Sequence, residues 1–366
     1  MSVELITGSA RKLLEKEYDL GFMRRYRTAE KPDKARLVRL CQEMGWHALI
    51  IGEEYGGFGY RLDAVCALLQ ELGRAAFPEL YFSHFVAPVL VLNAVAGSPA
   101  KERVLAAIAN SEWVPGMATN SATAASFSGS AAFRVEAGPA GDSISGATEF
   151  VCDVDSANLL VVPALRNDGL ISVFAIEKDR PGVLIGERAD QTCGKTFSVT
   201  CANVVPGEQS HLGALPRSAL QDVYSLCAIA QSALMIGHAQ RAMTFALEHI
   251  MVRKQFGKLL AEFQAVQHQA ADMFRAVDVA QLFLAEAIEQ CHGESMREYA
   301  SYCKAWTNDA AFQTSATSHQ LMGGTGYMVE TDLQLLTSLI LRGQYEFGSA
   351  DYHREVIADL TCDRAV

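Results

Sequence analysis

A chain of 366 residues, half of them hydrophobic and a fifth charged, has an ordinary soluble composition and is too long for one simple core, so two or three domains are expected. Its formal net charge of −11, with no long basic run, argues against nucleic acid and anionic membrane as partners. Nine cysteines without a C-x-x-C pair, and nine histidines without an H-x-x-x-H pair, point to reduced thiols in a cytoplasmic setting and to no metal site.

Residues 1–17 lack an apolar core and carry Glu4, Glu15 and Glu17, unlike a signal or transit peptide. From Glu4 to about Asn110 the periodicity is helical. Leu37, Leu40 and Cys41 share one face of 34–44, and Val65, Leu68, Leu69 and Leu72 share one face of 63–72. The glycine run 52–59 between them reads as a tight turn. From Trp113 to about Gly213 short β-branched runs alternate with Gly, Asp, Asn and Pro, the clearest strands being 159–162 and 170–176; these imply a β-barrel or sandwich. Two uncharged stretches, 114–133 and 223–240, are expected to be too polar to span a bilayer. Beyond Leu215 three long periodic segments, 220–251, 262–291 and 296–322, are expected to form the rods of a bundle. Gly257 is expected to end the first of them at its C′ position, leaving Arg253 at the negative end of the helix. The predicted fold is α+β, mainly α. It has an N-terminal helical domain (1–112), a middle β-domain (113–214) and a C-terminal helical bundle (215–366).

Arg253-Lys254-Gln255-Phe256-Gly257, Gln264 and the loop Gln320-Leu321-Met322-Gly323-Gly324-Thr325-Gly326-Tyr327 stand out in this helical region. A guanidinium fork grips two phosphate oxygens, and glycines let backbone N–H groups approach the same anion. The combination suits a dinucleotide laid over helix ends, without the strand–glycine–helix context of a Rossmann or P-loop site. The plainer alternative is that Arg253 pairs with Glu248 or Glu262 and the glycines merely cap a helix.

Residues 253–268 followed by Ala271-Asp272-Met273, the run Glu53-Glu54-Tyr55-Gly56-Gly57-Phe58-Gly59 followed by 69–74, and the QxxGGxGY pattern of 320–327 together resemble the acyl-CoA dehydrogenase family. The resemblance implies an N-terminal helical domain, a middle β-domain and a C-terminal four-helix bundle. It also implies an FAD enzyme that removes two hydrogens across Cα–Cβ of an acyl-CoA, with electrons passing to an electron-transfer flavoprotein. A carboxylate base, fixed donors to the enolate oxygen and a flavin hydride acceptor are then required. In that family one subunit's flavin is gripped by a neighbour's bundle. Carried over by motif, Arg253, Phe256, Gln264, Gln320, Gly323 and Gly324 are that donated half, while Thr119, Phe150 and Cys152 fall on the receiving half.

The receiving half departs from the pattern. The TEPxxGS stretch reads here as residues 117–125, with Thr119 retained, and the next flavin stretch reads Phe150-Val151-Cys152-Asp153. An aspartate facing the ring would disfavour the reduced anionic flavin. The two positions at which the family carries its glutamate hold Phe347, with Glu346 one residue early, and Cys227, flanked by Ser225 and Ala228. Small residues at Cys227, Ala228 and Ala230 suggest room for a bulky acyl group, though core packing explains them equally well. Intact phosphate motifs beside missing catalytic positions resemble one subunit of a bacterial α2β2 enzyme acting on steroid side-chain CoA thioesters. The alternatives are a homotetramer using Glu346 as base, and a scaffold of the same fold without flavin. His249 is expected to be structural, close to Arg253.

Overall fold

The computed structural model describes residues 2–29, 32–119, 131–138, 141–190 and 194–363. At the N-terminal end, α1 (Val3–Glu17) buries Ile6, Ala10 and Leu14, a single stripe at i, i+4, i+8. Asp19 caps α2 (Leu20–Thr28) by accepting from Phe22 N, and Asp33 caps α3 (Lys34–Glu43) by accepting from Arg36 N. After α4 (Leu62–Arg74) comes a π-helical turn, Phe82–Val86, which runs into α5 (Ala87–Ala94). Ser98 and Pro99 then start α6 (Pro99–Ala109). The glycine run 52–59 is a tight turn: Phe58 N and Gly59 N donate back to Ala48 O and Ile51 O.

Among the described residues eight strands follow: β1 (Pro115–Met117), β2 (Phe133–Gly138), β3 (Gly141–Val151), β4 (Leu159–Leu165), β5 (Ile171–Glu177), β6 (Val183–Asp190), β7 (Gly194–Val204) and β8 (His211–Leu215). Their order is β6-β7-β3-β2-β4-β5-β8, antiparallel except that β1 and β2 both lie parallel to β4. Leu160, Val162, Phe174, Phe133, Ile144, Phe197 and Val199 share one core although β5 and β7 lie well apart in the order. The sheet therefore folds over itself, as a sandwich does.

The last third is helical: α7 (Arg217–Val252), α8 (Gln264–Glu289), α9 (Met296–Met322), α10 (Leu333–Gly343) and α11 (Ala350–Asp363), with α9 packed against α8, α10 and α11. By length and composition α7 could cross a membrane, contrary to the expectation for 223–240. Yet 72% of its most apolar window is buried in the protein, as for a core helix. Gly257 is not the C′ residue of α7. The helix ends at Val252, and Phe256-Gly257 form the turn of a two-residue hairpin, β9 (Lys254–Gln255) with β10 (Lys258–Leu259). Phe256 and Gly257 both have positive φ (52° and 83°), the twist that such tight hairpins require.

One compact unit comprises 1–30, 66–78 and 228–366, and the other comprises 31–65 and 79–227. In the first, Gly73 on α4 and Gly237 on α7 meet backbone to backbone. In the second, Ser98 Oγ donates to Leu212 O (2.6 Å), tying α6 to β8.

Candidate functional site

Ala246 and Ile250 near the end of α7, Leu260 and Val266 around the start of α8, Met273, and Leu321 near the end of α9 form one apolar cluster. That cluster brings three helix ends together and, with them, the residues singled out for anion binding. Arg253 is exposed and its side chain pairs with neither Glu248 nor Glu262. The Glu262 carboxylate accepts from Leu259 N (3.0 Å), and Arg253 has no side-chain hydrogen bond or ion pair among the described residues. Its charge, after burial, is what lowers the pKa of His249 one turn earlier. Phe256 is 92% exposed at φ 52°, a conformation costly for an aromatic residue and one that aims the ring outward.

Gln264 is the first residue of α8, whose N-terminus no side chain caps, so its first N–H groups are available to an anion. Gln320 lies exposed in the last turn of α9. Gly323 ends that helix at φ 60°, ψ −142°, which favours glycine, and Thr325 Oγ1 donates to Met322 O (2.6 Å). A Cβ at Gly324 would meet nothing within 4 Å, so packing within this chain does not require a glycine there. An unpaired guanidinium, an uncapped helix N-terminus and a glycine loop at one end of a bundle are chemically suited to a diphosphate.

The residues of the receiving half lie in the other unit. Thr119 Oγ1 shares a hydrogen bond with Tyr224 OH (3.0 Å), and burial pushes that phenol up to about 12; residues 120–125 lie outside the described residues. Phe150 is 55% exposed at φ 58°, inside an irregularity of the β3–β7 pairing, and Cys152 Sγ lies 3.8 Å from Phe150 O. Asp153 does not present its charge outward. It accepts from Lys34 Nζ (2.9 Å) and Ser83 Oγ (2.9 Å), and its side chain is 14% exposed. Lys34 also pairs with Asp155 (2.7 Å), and the two carboxylates raise its pKa despite burial. His84, in the π-helical turn, bonds Pro115 O (2.7 Å) and Ser156 Oγ (2.8 Å) beside them. The expected effect of Asp153 on a reduced flavin therefore loses its basis.

Neither base position offers a free carboxylate. Cys227 is fully buried, and burial alone pushes its thiol well up, the opposite of activation. Ala228 and Ala230 are also fully buried and pack the core, so they give no sign of room for a bulky acyl group. Glu346 is 6% exposed and its Oε1 accepts from Arg342 Nε (2.8 Å), one turn back. Phe347 is buried at φ 55° in a turn several of whose carbonyls are held by side chains of α9 and α11. Lys304 Nζ donates to Gly343 O (2.7 Å), Asn308 Nδ2 to Gln344 O (3.1 Å) and Gly348 O (3.2 Å), and His353 Nε2 bonds Phe347 O (2.8 Å). Rewinding the turn to bring Glu346 forward would break these buried bonds, so the structure does not present Glu346 as a base. Sequence reasoning missed Lys304, Asn308 and His353, because a lysine inside a helical run reads as a solvated side chain.

Two buried histidines make the bundle acid-sensitive. Burial first, then the charge of Lys304 for His353 and of Arg27 for His238, push both imidazoles down to about 3. Each binds its proton more readily unfolded, at about 6.5, so its contribution to stability is complete above that pH and is lost as pH falls toward 3. Urea unfolding at pH 7 and pH 5 is expected to show a loss of about 1.4 kcal/mol per pH unit per histidine below their unfolded pKa. His238→Leu should remove one such share. An unchanged acid slope in that variant would show that His238 does not titrate between the two states.

Residues 2–112 match the model described as acyl-CoA dehydrogenase, N-terminal domain, and residues 226–360 match acyl-CoA dehydrogenase, C-terminal domain. Isovaleryl-CoA dehydrogenase, mitochondrial, of Oryza sativa subsp. japonica is 27% identical over 317 residues, covering 82% of this chain and 76% of that protein. Among solved structures, the ChsE4–ChsE5 complex from Mycobacterium tuberculosis has a TM-score of 0.88 at 18% identity, covering 98% of this chain and 97% of that one. A variant of the Tcur3481–Tcur3483 steroid ACAD has 0.88 at 22%, covering 99% and 98%. The structural likenesses concern the fold.

Proposed function

The chain belongs to the acyl-CoA dehydrogenase family, and from that premise we propose that it works as one subunit of a heteromeric enzyme, lending its bundle end to an FAD seated on a related chain. It is an oxidoreductase acting on CH–CH groups of acyl-CoA, with FAD as cofactor. The flavin, when bound, supplies the acceptor for the β-hydride. Arg253, Gln264, Gln320 and the backbone at Gly323 and Gly324 would hold the diphosphate and adenine end, and Phe256 would cover it. The observation carrying this reading is that Arg253 and the glycine loop stand open and unpaired in their own chain, while Phe347, Cys227 and an ion-paired Glu346 occupy the base positions. In this reading the α-proton is taken by the related chain's carboxylate.

A chain of the ChsE4–ChsE5 complex shares this fold, and the Tcur3481–Tcur3483 protein is a steroid ACAD. On that ground the substrate is proposed to be a steroid side-chain or other bulky acyl-CoA. The electron acceptor is proposed to be an electron-transfer flavoprotein, and the compartment the cytoplasm. A homotetramer with Glu346 as base is the second reading, and the Arg342–Glu346 pair weighs against it.

The chain purified alone is expected to be colourless and to become yellow only when produced with a related chain; full flavin content and turnover in the lone chain would refute the partner-subunit reading. Arg253→Ala is expected to weaken FAD retention in the assembly about 10- to 100-fold, the loss of a charge-assisted bond to phosphate. Flavin fluorescence released on dilution measures it, and unchanged retention would mean that the diphosphate lies elsewhere.

A further inference from the structure

We propose that His319 is a positioning residue, holding the glycine loop in the conformation that receives the cofactor diphosphate, an inference resting on the reading above. His319 precedes Gln320 in the last turn of α9 and is 7% exposed. Its ring lies nearly flat on Tyr327, with centroids 4.7 Å apart and planes at 28°, although Tyr327 is itself 73% exposed. His319 Nε2 lies 2.8 Å from Thr337 Oγ1 on α10. That hydroxyl also lies 2.8 Å from Ser315 Oγ and 3.1 Å from its acceptor, Leu333 O. With the Thr337 proton directed to Leu333 O, its oxygen accepts from both Ser315 and His319. The imidazole is thereby hooked to the helix that follows the loop while its face supports the loop's last residue.

The loop is closed down on the same side. A Cβ at Gly326 would meet His319 O at 3.2 Å, His319 Cα at 3.3 Å and Met322 Cβ at 3.1 Å, so the backbone there rests on the imidazole-bearing turn. At the start of the loop, by contrast, a Cβ on Gly323 or Gly324 would meet nothing within 4 Å. The end of the loop is clamped and its start is open, which orders the N–H groups before any anion arrives and lowers the ordering cost of binding. None of His319, Tyr327 or Thr337 is itself needed at the anion; they act through the backbone between them.

The test uses the full chain with His319→Ala, Tyr327→Ala, the double variant and His319→Gln. Amide hydrogen exchange of 323–327 is followed without nucleotide, and FAD affinity is measured by fluorescence quenching in the enzyme assembled with its related chain. Each single alanine is expected to speed loop exchange and weaken FAD about tenfold, with the double variant no worse than either and protection in α9 before Ser315 unchanged. Gln, which keeps an N–H for Thr337, should recover part of the loss. Unaltered exchange in both single variants overturns the clamp. Faster loop exchange with unaltered FAD affinity leaves the clamp standing but removes its link to the cofactor, and so overturns the reading on which the proposal rests.

Discussion

Gly237→Ala is expected to destabilise the protein by about 3 kcal/mol or more, at the upper end of what overpacking does. A Cβ there would fall inside the van der Waals envelope of Gln70 O, 3.0 Å from Gln70 C and 3.0 Å from Gly73 Cα. Gly73 is the mirror case: its Cβ would collide with Leu234 O and lie 3.0 Å from Gly237 Cα. Every atom in the way is main chain of a helix, so no rotamer change relieves the contact. Glycine inside a helix costs about 1 kcal/mol relative to alanine. Two of them at one crossing mark a place where the backbones of α4 and α7 touch. Gly8→Ala on α1, where a Cβ meets nothing within 4 Å, is the control and should stabilise by about 0.5–1 kcal/mol. Denaturant midpoints at unchanged m-value measure both, and similar values for the two variants would discard the crossing argument.

Lys304→Ala is expected to cost about 2–5 kcal/mol, the range for truncating a large buried side chain, with two buried acceptors left unpaired. The ammonium is fully buried and donates to Asn308 Oδ1 (2.6 Å) and Gly343 O (2.7 Å). Its loss orphans both acceptors and leaves a cavity. Lys304→Met refills the volume without restoring the donor and should fall between the variant and the parent. Amide exchange across 343–348 should rise in both, since the turn loses a fixed carbonyl. A Lys304→Ala protein within about 1 kcal/mol of the parent would show that the turn does not depend on this network.

The helical and stranded zones were legible because periodicity survives burial: α9 covers 296–322 as read, and α8 covers 264–289 against 262–291. The hairpin after α7 was not legible, because an aromatic at positive φ is rare and a glycine beyond a long apolar run reads as a helix end. Pairings distant in sequence were also hidden. Lys34 with Asp153, and Lys304 with the carbonyl of Gly343, are set by tertiary packing that no local pattern encodes. The motif residues Arg253, Gln264 and Gln320 stood out by their chemistry, and the family resemblance then gave them a role. Their gathering at one bundle end depends on the apolar cluster around Ile250 and Leu321, whose members read in sequence only as ordinary core positions.

The outward-turned end of the bundle carries a burden for the cell. Met251 (61%), Val252 (75%), Phe256 (92%), Tyr327 (73%) and Val329 (56%) all face water in the lone chain, an apolar area of the kind that invites clumping. Copies translated without a companion would be the ones chaperones and proteases find first. Under the proposed pairing with a related chain, balanced synthesis of the two would matter as much to yield as the folding of either.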